Sequence, residues 1–337
     1  MRISRRVFTG GAAGLSAALI LRNNPAHSAE FNFRFGIQIP DTHPTSIRVQ
    51  EAAALIREQT NGRVDIRVFP NGQLGSEADM LSQVRNGAIQ MMTTSPIAGL
   101  MPLIPKAAIT GVGFAFKSYD EVWAAMDGVL GAAVRAEVSK AGLVVLEKSW
   151  DSGYRHVTTR AKPVVTPSDL QGVKIRVPMA PLWTSMFKAF GAGPIGIPFG
   201  EVFSALQTHL ADAQENPLSL IDTAKFYEVQ KYCSLTSHMW DGFWLIANPR
   251  AMDQLPADVR EIVVRNFNQA AIAERADVKQ QNDTLRAALE KKGLAFNTPE
   301  TAPFREKLKQ AGFYSEWREK FGADLWEKLE AVVGNLS

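Results

Sequence analysis

The chain has 337 residues, 46% of them hydrophobic, with 37 basic and 34 acidic side chains. Residues 1–29 carry Arg2, Arg5, Arg6 and Arg22 and no acid, so the remainder holds 33 basic residues against 34 acidic ones, a net of −1. The basic excess belongs to the leader and no Lys/Arg run follows it, which excludes a nucleic-acid partner; the lone Cys233 excludes an intramolecular disulfide.

Stability must therefore come from the core, and about 300 residues of this apolar content allow two lobes of ordinary domain size. Ser4-Arg5-Arg6-Val7-Phe8 is a twin-arginine pattern, followed by a short apolar stretch from Thr9 to Leu21 and by Ala26-His27-Ser28. This predicts a Tat-type signal peptide over 1–29, cleaved near Ser28-Ala29, and a periplasmic mature protein. The apolar stretch is too short to span a membrane.

The next segments alternate strand and helix patterns. Phe31–Ile39 reads as a strand, with Asp41-Thr42-His43-Pro44 at its carboxyl end and a helix to about Thr60. Asn61-Gly62 turns the chain into a strand over Val64–Phe69, and Ser76 caps a helix to Arg85. Ala88–Thr93 is a third strand, with Thr94-Ser95-Pro96 at its end. This β-α-β-α-β order predicts a lobe over 30–152, with a return segment at 241–270. Within it, Tyr119–Ala141 is read as one long amphipathic helix and Leu143–Trp150 as a strand. Asp151-Ser152-Gly153 and Trp240-Asp241-Gly242 punctuate the chain, and the two crossings between lobes are placed there.

A second lobe follows over 153–240, again β-α-β-α-β from Gly172 to Pro217. Its strands are Val173–Val177, Ile195–Ile197 and Ala211–Gln214; its helices bury Trp183, Phe187 and Phe190, then Val202, Phe203 and Leu206. Cys233–Ser237 and Phe243–Ala247 read as two further strands. From Ala257 to Lys292 there is neither Gly nor Pro. At ~1.5 Å per residue this spans about 54 Å, which suits a strut over 256–293 across both lobes; the alternative is a break near Asp277. Residues 294–337 read as two short docking helices.

In parallel sheets, ligands sit beyond the carboxyl ends of the strands. Arg176, Phe199 and Asn216 fall there. A guanidinium, a ring face and a carboxamide can hold a small organic anion, the guanidinium taking both carboxylate oxygens. An ion pair of Arg176 with Asp212 or Glu215 is the structural alternative. His43 joins the candidates from the end of the first strand. Enzyme signatures are missing: there is no Gly-x-Ser-x-Gly, His-Glu-x-x-His or Walker loop. Gly191 to Gly196 matches GxGxxG but follows a helix and enters a strand, the reverse of the dinucleotide context. No cofactor is required and no metal-ligand set is evident. A periplasmic hydrolase or lyase acting on an organic acid is the second reading.

KIRVP, IPFGEVFSALQT, DAQENP and KFYEVQKY, at 174–178, 197–208, 212–217 and 225–232, resemble the signature run of TRAP transporter solute-binding proteins of the DctP type. The resemblance implies an α/β periplasmic binding protein fold of two lobes, with mixed sheets, a hinge and a long lobe-spanning helix. It implies a protein that captures a carboxylate and delivers it to membrane permease subunits; a monomer is expected. It assigns the carboxylate clamp to Arg176, a second positive contact to Arg155, the pocket aromatic to Phe199 and polar contacts to Asn216 and Ser95. Trp150 and Trp240 sit at the expected crossings and, with Phe199, would form a flat apolar slot. An aromatic or bulky 2-oxo or 2-hydroxy monocarboxylate is the expected ligand.

Overall fold

The computed structural model describes residues 29–336, so residues 1–28 of the predicted leader lie outside the described residues. The first lobe is built on β1 (Phe31–Gly36), α1 (Pro44–Gln59), β2 (Val64–Phe69), α2 (Glu77–Asn86) and β3 (Met91–Thr94). Strands β1–β3 are parallel, in the order β2-β1-β3. Their turns follow local chemistry. Ser76 and Asp79 form a capping box at the start of α2, and Gly87 ends that helix at φ +86°, where a side chain would be strained.

The stretch read as one helix at 119–141 is two, α3 (Tyr119–Met126) and α4 (Val129–Lys140). The break lies at Gly128, whose backbone is extended; a Cβ there would lie 2.3 Å from the Ala124 carbonyl oxygen. Of the strand expected at 143–150, only β4 (Val144–Val145) forms before β5 (Trp150–Thr159) begins.

The second lobe comprises β6 (Lys174–Val177), α5 (Pro181–Ala189), β7 (Gly193–Gly196), α6 (Val202–Gln207), β8 (Ala213–Asn216) and α7 (Leu218–Thr223). Here β8, β6 and β7 are parallel neighbours. The two predicted strands after α7 are one sixteen-residue strand, β9 (Tyr232–Ala247). It pairs antiparallel with β3 in the first lobe and with β5 toward the second. The sheet order is therefore continuous, β2-β1-β3-β9-β5-β8-β6-β7. The crossing segments are not loops: β5 and β9 run through them as a paired ribbon. Register shifts between Asp151 and Gly153 and between Arg155 and Val157 absorb the bend.

After α8 (Pro249–Asp253), α9 (Ala257–Lys291) is one unbroken helix of 35 residues, about 52 Å long at 1.5 Å per residue. Val259, Val263 and Phe267 anchor it in the first lobe's core; Leu285 and Leu289 anchor it in the second lobe's. Anchoring at both ends keeps the polar middle helical. Strand β10 (Ala295–Asn297) pairs with β9, and three C-terminal helices follow where two were expected: α10 (Ala302–Gln310), α11 (Phe313–Phe321) and α12 (Ala323–Val333). Phe304, Trp317 and Trp326 dock them into the largest core.

Candidate functional site

A cavity of about 320 Å³ lies where the lobes meet. The first lobe contributes Gln38 and Ile39 beyond β1, Ser76 to Ala78 at the start of α2, and Ser95, Ala98 and Pro102 beyond β3. The second lobe contributes Arg176, Pro178 and Met179 from the end of β6, Ile197 to Phe199 beyond β7, and Asn216 and Leu220 beyond β8. Ser152 and Arg155 of β5 and Asp241 and Phe243 of β9 complete the walls. The carboxyl ends of the parallel strands thus converge on one space, as the topology requires.

Arg176 is 2% exposed. Its Nε and Nη2 both donate to the Ile197 carbonyl oxygen, at 2.8 and 2.6 Å. Its Nη1 is buried and has no hydrogen-bond partner among the described residues. Burial is the main cause that pushes this guanidinium down to about 9, with Arg155 adding to it and Glu215 and Glu77 opposing. It remains a cation at neutral pH, and the carbonyl fixes its plane. The alternative ion pair with Glu215 does not form, because Glu215 is engaged elsewhere.

That engagement is with Arg155. Nε and Nη2 of Arg155 donate to the two Glu215 carboxylate oxygens at 2.6 and 2.8 Å, and Nη2 also reaches Asn216 Oδ1 at 3.0 Å. Nη1 lies 3.4 Å from Asp241 Oδ2, and the guanidinium sits 4.9 Å from the Trp183 ring centroid. Burial works against the Arg155 cation, but Glu215, Asp241 and Glu77 together outweigh it and the pKa is raised. Burial would also raise the Glu215 carboxyl; Arg155 and the 3.0 Å contact to His238 Nε2 hold it down to about 2. All three nitrogens of Arg155 are thus occupied within the protein.

Asp241 links the lobes: its Oδ1 accepts from Ser95 Oγ at 2.9 Å. Burial pushes its carboxyl up to about 7, against the pull of Arg155 and the Ser95 hydrogen bond. Glu77 is raised by burial, opposed by bonds from Ser95 N and Thr94 Oγ1, both 3.0 Å, and by the two arginines.

Of the residues singled out from sequence, Arg176, Arg155, Asn216, Phe199 and Ser95 line the cavity. Asn216 and Ser95 spend their polar atoms internally: Asn216 Nδ2 donates to Gln214 Oε1, and Ser95 Oγ caps the turn at 96–100. Phe199 is half-buried, edge-on to Phe226. Trp150, Trp240 and His43 are not in the walls, and the expected slot does not form. Side chains alternate along β9, so Asp241 and Phe243 face the cavity while Trp240 and Trp244 face the core behind it. Trp240 donates from Nε1 to Asp151 Oδ1 at 2.9 Å and meets Phe116 and Trp123 edge-on. Trp150 is 1% exposed in the first lobe's core. His43 caps α1 through Nδ1, and burial lowers it to about 3, leaving a neutral ring 3.1 Å from Ser219 Oγ.

Sequence reasoning missed Gln38, Glu77, Ser152 and Asp241. Gln38 follows the carboxyl end of β1, so the rule that selected Arg176 would have selected it too. Glu77 was hidden behind the capping role of Ser76, and Ser152 and Asp241 behind a reading of their segments as punctuation.

A two-lobe α/β fold holds a buried cation, without an acidic partner among the described residues, against the space between its lobes, as a solute-binding protein requires. The family model for bacterial extracellular solute-binding protein, family 7 (DctP), matches residues 35–318, and the chain belongs to this family of TRAP transporter binding proteins. It is 32% identical over 294 residues to the 2,3-diketo-L-gulonate-binding periplasmic protein YiaO of Escherichia coli (strain K12), covering 87% of this chain and 86% of that one. A sugar acid binding protein from Advenella mimigardefordensis, solved with galactonate, superposes with a TM-score of 0.86 at 28% identity, over 91% of this chain and 98% of that one. A TRAP periplasmic solute-binding protein from Sulfurospirillum deleyianum, solved with succinate, gives 0.85 at 28% identity, over 90% and 99%. Proteins of the family are periplasmic, bind small carboxylates, work with membrane permease subunits and are not enzymes.

Proposed function

We propose that this protein captures a 2-oxo or 2-hydroxy monocarboxylate between its lobes and presents it to its permease. The observation that carries the reading is Arg176 Nη1, a buried donor on a fixed cation beside the cavity, with no partner among the described residues. A carboxylate there gains a charge-assisted bond in a site already desolvated. Phe199 and Phe243 supply apolar surface for the body of the ligand. Arg155 acts differently from the expectation of a second clamp: it is held by Glu215 and Asp241 and positions Asn216. Ligand contacts to both lobes exist only in the closed form, so binding shifts the population toward closure.

The test is calorimetric titration of protein purified from the periplasm against organic acids, with Arg176→Lys beside it. The lysine keeps the charge but loses the planar fork. Binding should weaken by about 1.5–3 kcal/mol, the range for a hydrogen bond to a charged group. Unchanged affinity in a variant whose unliganded melting temperature is normal would refute the clamp.

A further inference from the structure

A second cavity, of about 410 Å³, adjoins the β5–β9 ribbon and shares no wall residue with the cavity between the lobes. That volume is ample for a small molecule. Side chains alternate along a strand, so Arg155 of β5 faces the first cavity while its neighbour Tyr154 lines the second. The register shift between Arg155 and Val157 makes β9 bulge opposite them, and Ser237 in that bulge has a φ of +43°. Phe114, at φ +52°, donates its N–H to the His238 carbonyl oxygen at 2.8 Å, which seats its segment against the bulge. Both Ser237 and Phe114 line the second cavity. A bulky residue at positive φ is strained, and bulges and strain of this kind gather at binding sites.

The walls are aromatic and the charge on them is positive. Phe114, Phe116, Tyr119 and Tyr154 supply the rings, and Tyr119 meets Tyr154 edge-on at 5.3 Å. The Tyr154 hydroxyl is buried and has no hydrogen-bond partner among the described residues. Lys117 and Arg305 line the same space, and the lining contains no Asp or Glu. Lys117 Nζ donates to Val333 O at 3.3 Å and Arg305 Nη2 to Asn335 O at 3.0 Å, and neither cation has an acidic partner among the described residues. Glu121, close in sequence, is not in the wall; its carboxylate accepts from Lys117 N at 2.7 Å.

We propose that this cavity is a second small-molecule site, taking a flat aromatic body that carries one acidic group. The rings bury the body. The acidic group pairs with Lys117 and Arg305, and a ligand oxygen gives the Tyr154 hydroxyl the acceptor it lacks. A cationic ligand of the same shape meets two like charges and is rejected. The site is independent of the carboxylate reading of Arg176, because the two cavities have separate walls.

The experiment uses 1-naphthoate, 1-naphthylmethanol and 1-naphthylmethylamine as probes of one shape and three charges. Calorimetric titration is run on the wild-type protein, on Arg176→Lys, on Tyr154→Phe and on the double variant Lys117→Gln/Arg305→Gln. Naphthoate should bind the wild type at least tenfold tighter than the amine, and its affinity should survive Arg176→Lys. It should fall about tenfold or more in the double variant, and severalfold in Tyr154→Phe, which removes only the buried hydroxyl. Lys117→Arg/Arg305→Lys keeps both charges and should restore most of the affinity, which separates charge recognition from loosening of the chain's end. Absence of naphthoate binding to the wild type would overturn the proposal, as would equal affinity for the amine. Binding lost in Arg176→Lys but kept in the double variant would place the probe between the lobes and overturn it too. If the double variant does not fold, Tyr154→Phe decides: unchanged naphthoate affinity there, at a normal melting temperature, would refute the site.

Discussion

Six buried titratable residues oppose one another in pairs of effect. Burial lowers His43 and His156 to about 3 and also lowers His238. It raises Asp151 and Asp241 to about 7 and Glu274 well above its usual value. A histidine with a lowered pKa loses stability as pH falls below the unfolded value of about 6.5. A carboxyl with a raised pKa is protonated preferentially in the folded state. Its stabilisation is complete below the unfolded value of about 4 and is lost as pH rises toward 7. Across that window the two sets act in opposite directions, and Glu77, also raised by burial, adds to the carboxyl side. Asp151→Asn removes one carboxyl and leaves the histidines. Measured against the wild type, its stability should improve as pH rises from 5 to 8. A difference that stays constant over that range would show that Asp151 does not titrate there.

At the scale of elements, the β5–β9 ribbon sets the geometry of the site, because it carries Ser152, Arg155, Asp241 and Phe243 through the crossing. Its tightest point is Gly242, where a Cβ would lie 2.6 Å from the Trp150 carbonyl oxygen and 2.4 Å from a ring carbon of Trp240. Gly242→Ala should destabilise by about 1–3 kcal/mol, as overpacking does, and urea unfolding measures it. A change under half a kilocalorie would mean that the ribbon yields there. Helix α9 braces the same crossing from outside. Its buried Glu274 accepts from Thr45 Oγ1 and from Asp151 N, both at 2.8 Å, tying α1, β5 and the strut at one point. Arg275 beside it donates to Ser149 O and pairs with Asp127.

For the whole molecule, the cavity lies between the lobes, with Ser95 of the first lobe bonded to Asp241 at the crossing. A compact chain of this size has a radius of gyration of about 20 Å. Adding a bound acid should contract it, measured by small-angle scattering, and at ~1,000 times the dissociation constant should add about 4 kcal/mol to stability. A bound acid that leaves the scattering curve unchanged would argue that the cleft does not open.

Local pattern alone determined the two β-α-β-α-β units, the uninterrupted helix at 257–291 and the placement of Arg176, because periodicity, caps and strand ends are properties of neighbouring residues. The signature run carried the family for the same reason. Pairing between distant strands decided the rest. The ribbon of β5 and β9 erased two apparent breaks and faced Trp240 away from the cavity and Asp241 into it, since alternation is set by register and not by residue type. Burial decided charge: Glu215 could have served either arginine, and only the adjacency of β8 and β5 gave it to Arg155, leaving Arg176 with a donor to spare. Glu77 entered the site because the start of α2 lies beside the end of β3, where its carboxylate takes Thr94 Oγ1 and Ser95 N, a tertiary contact that no local signal records.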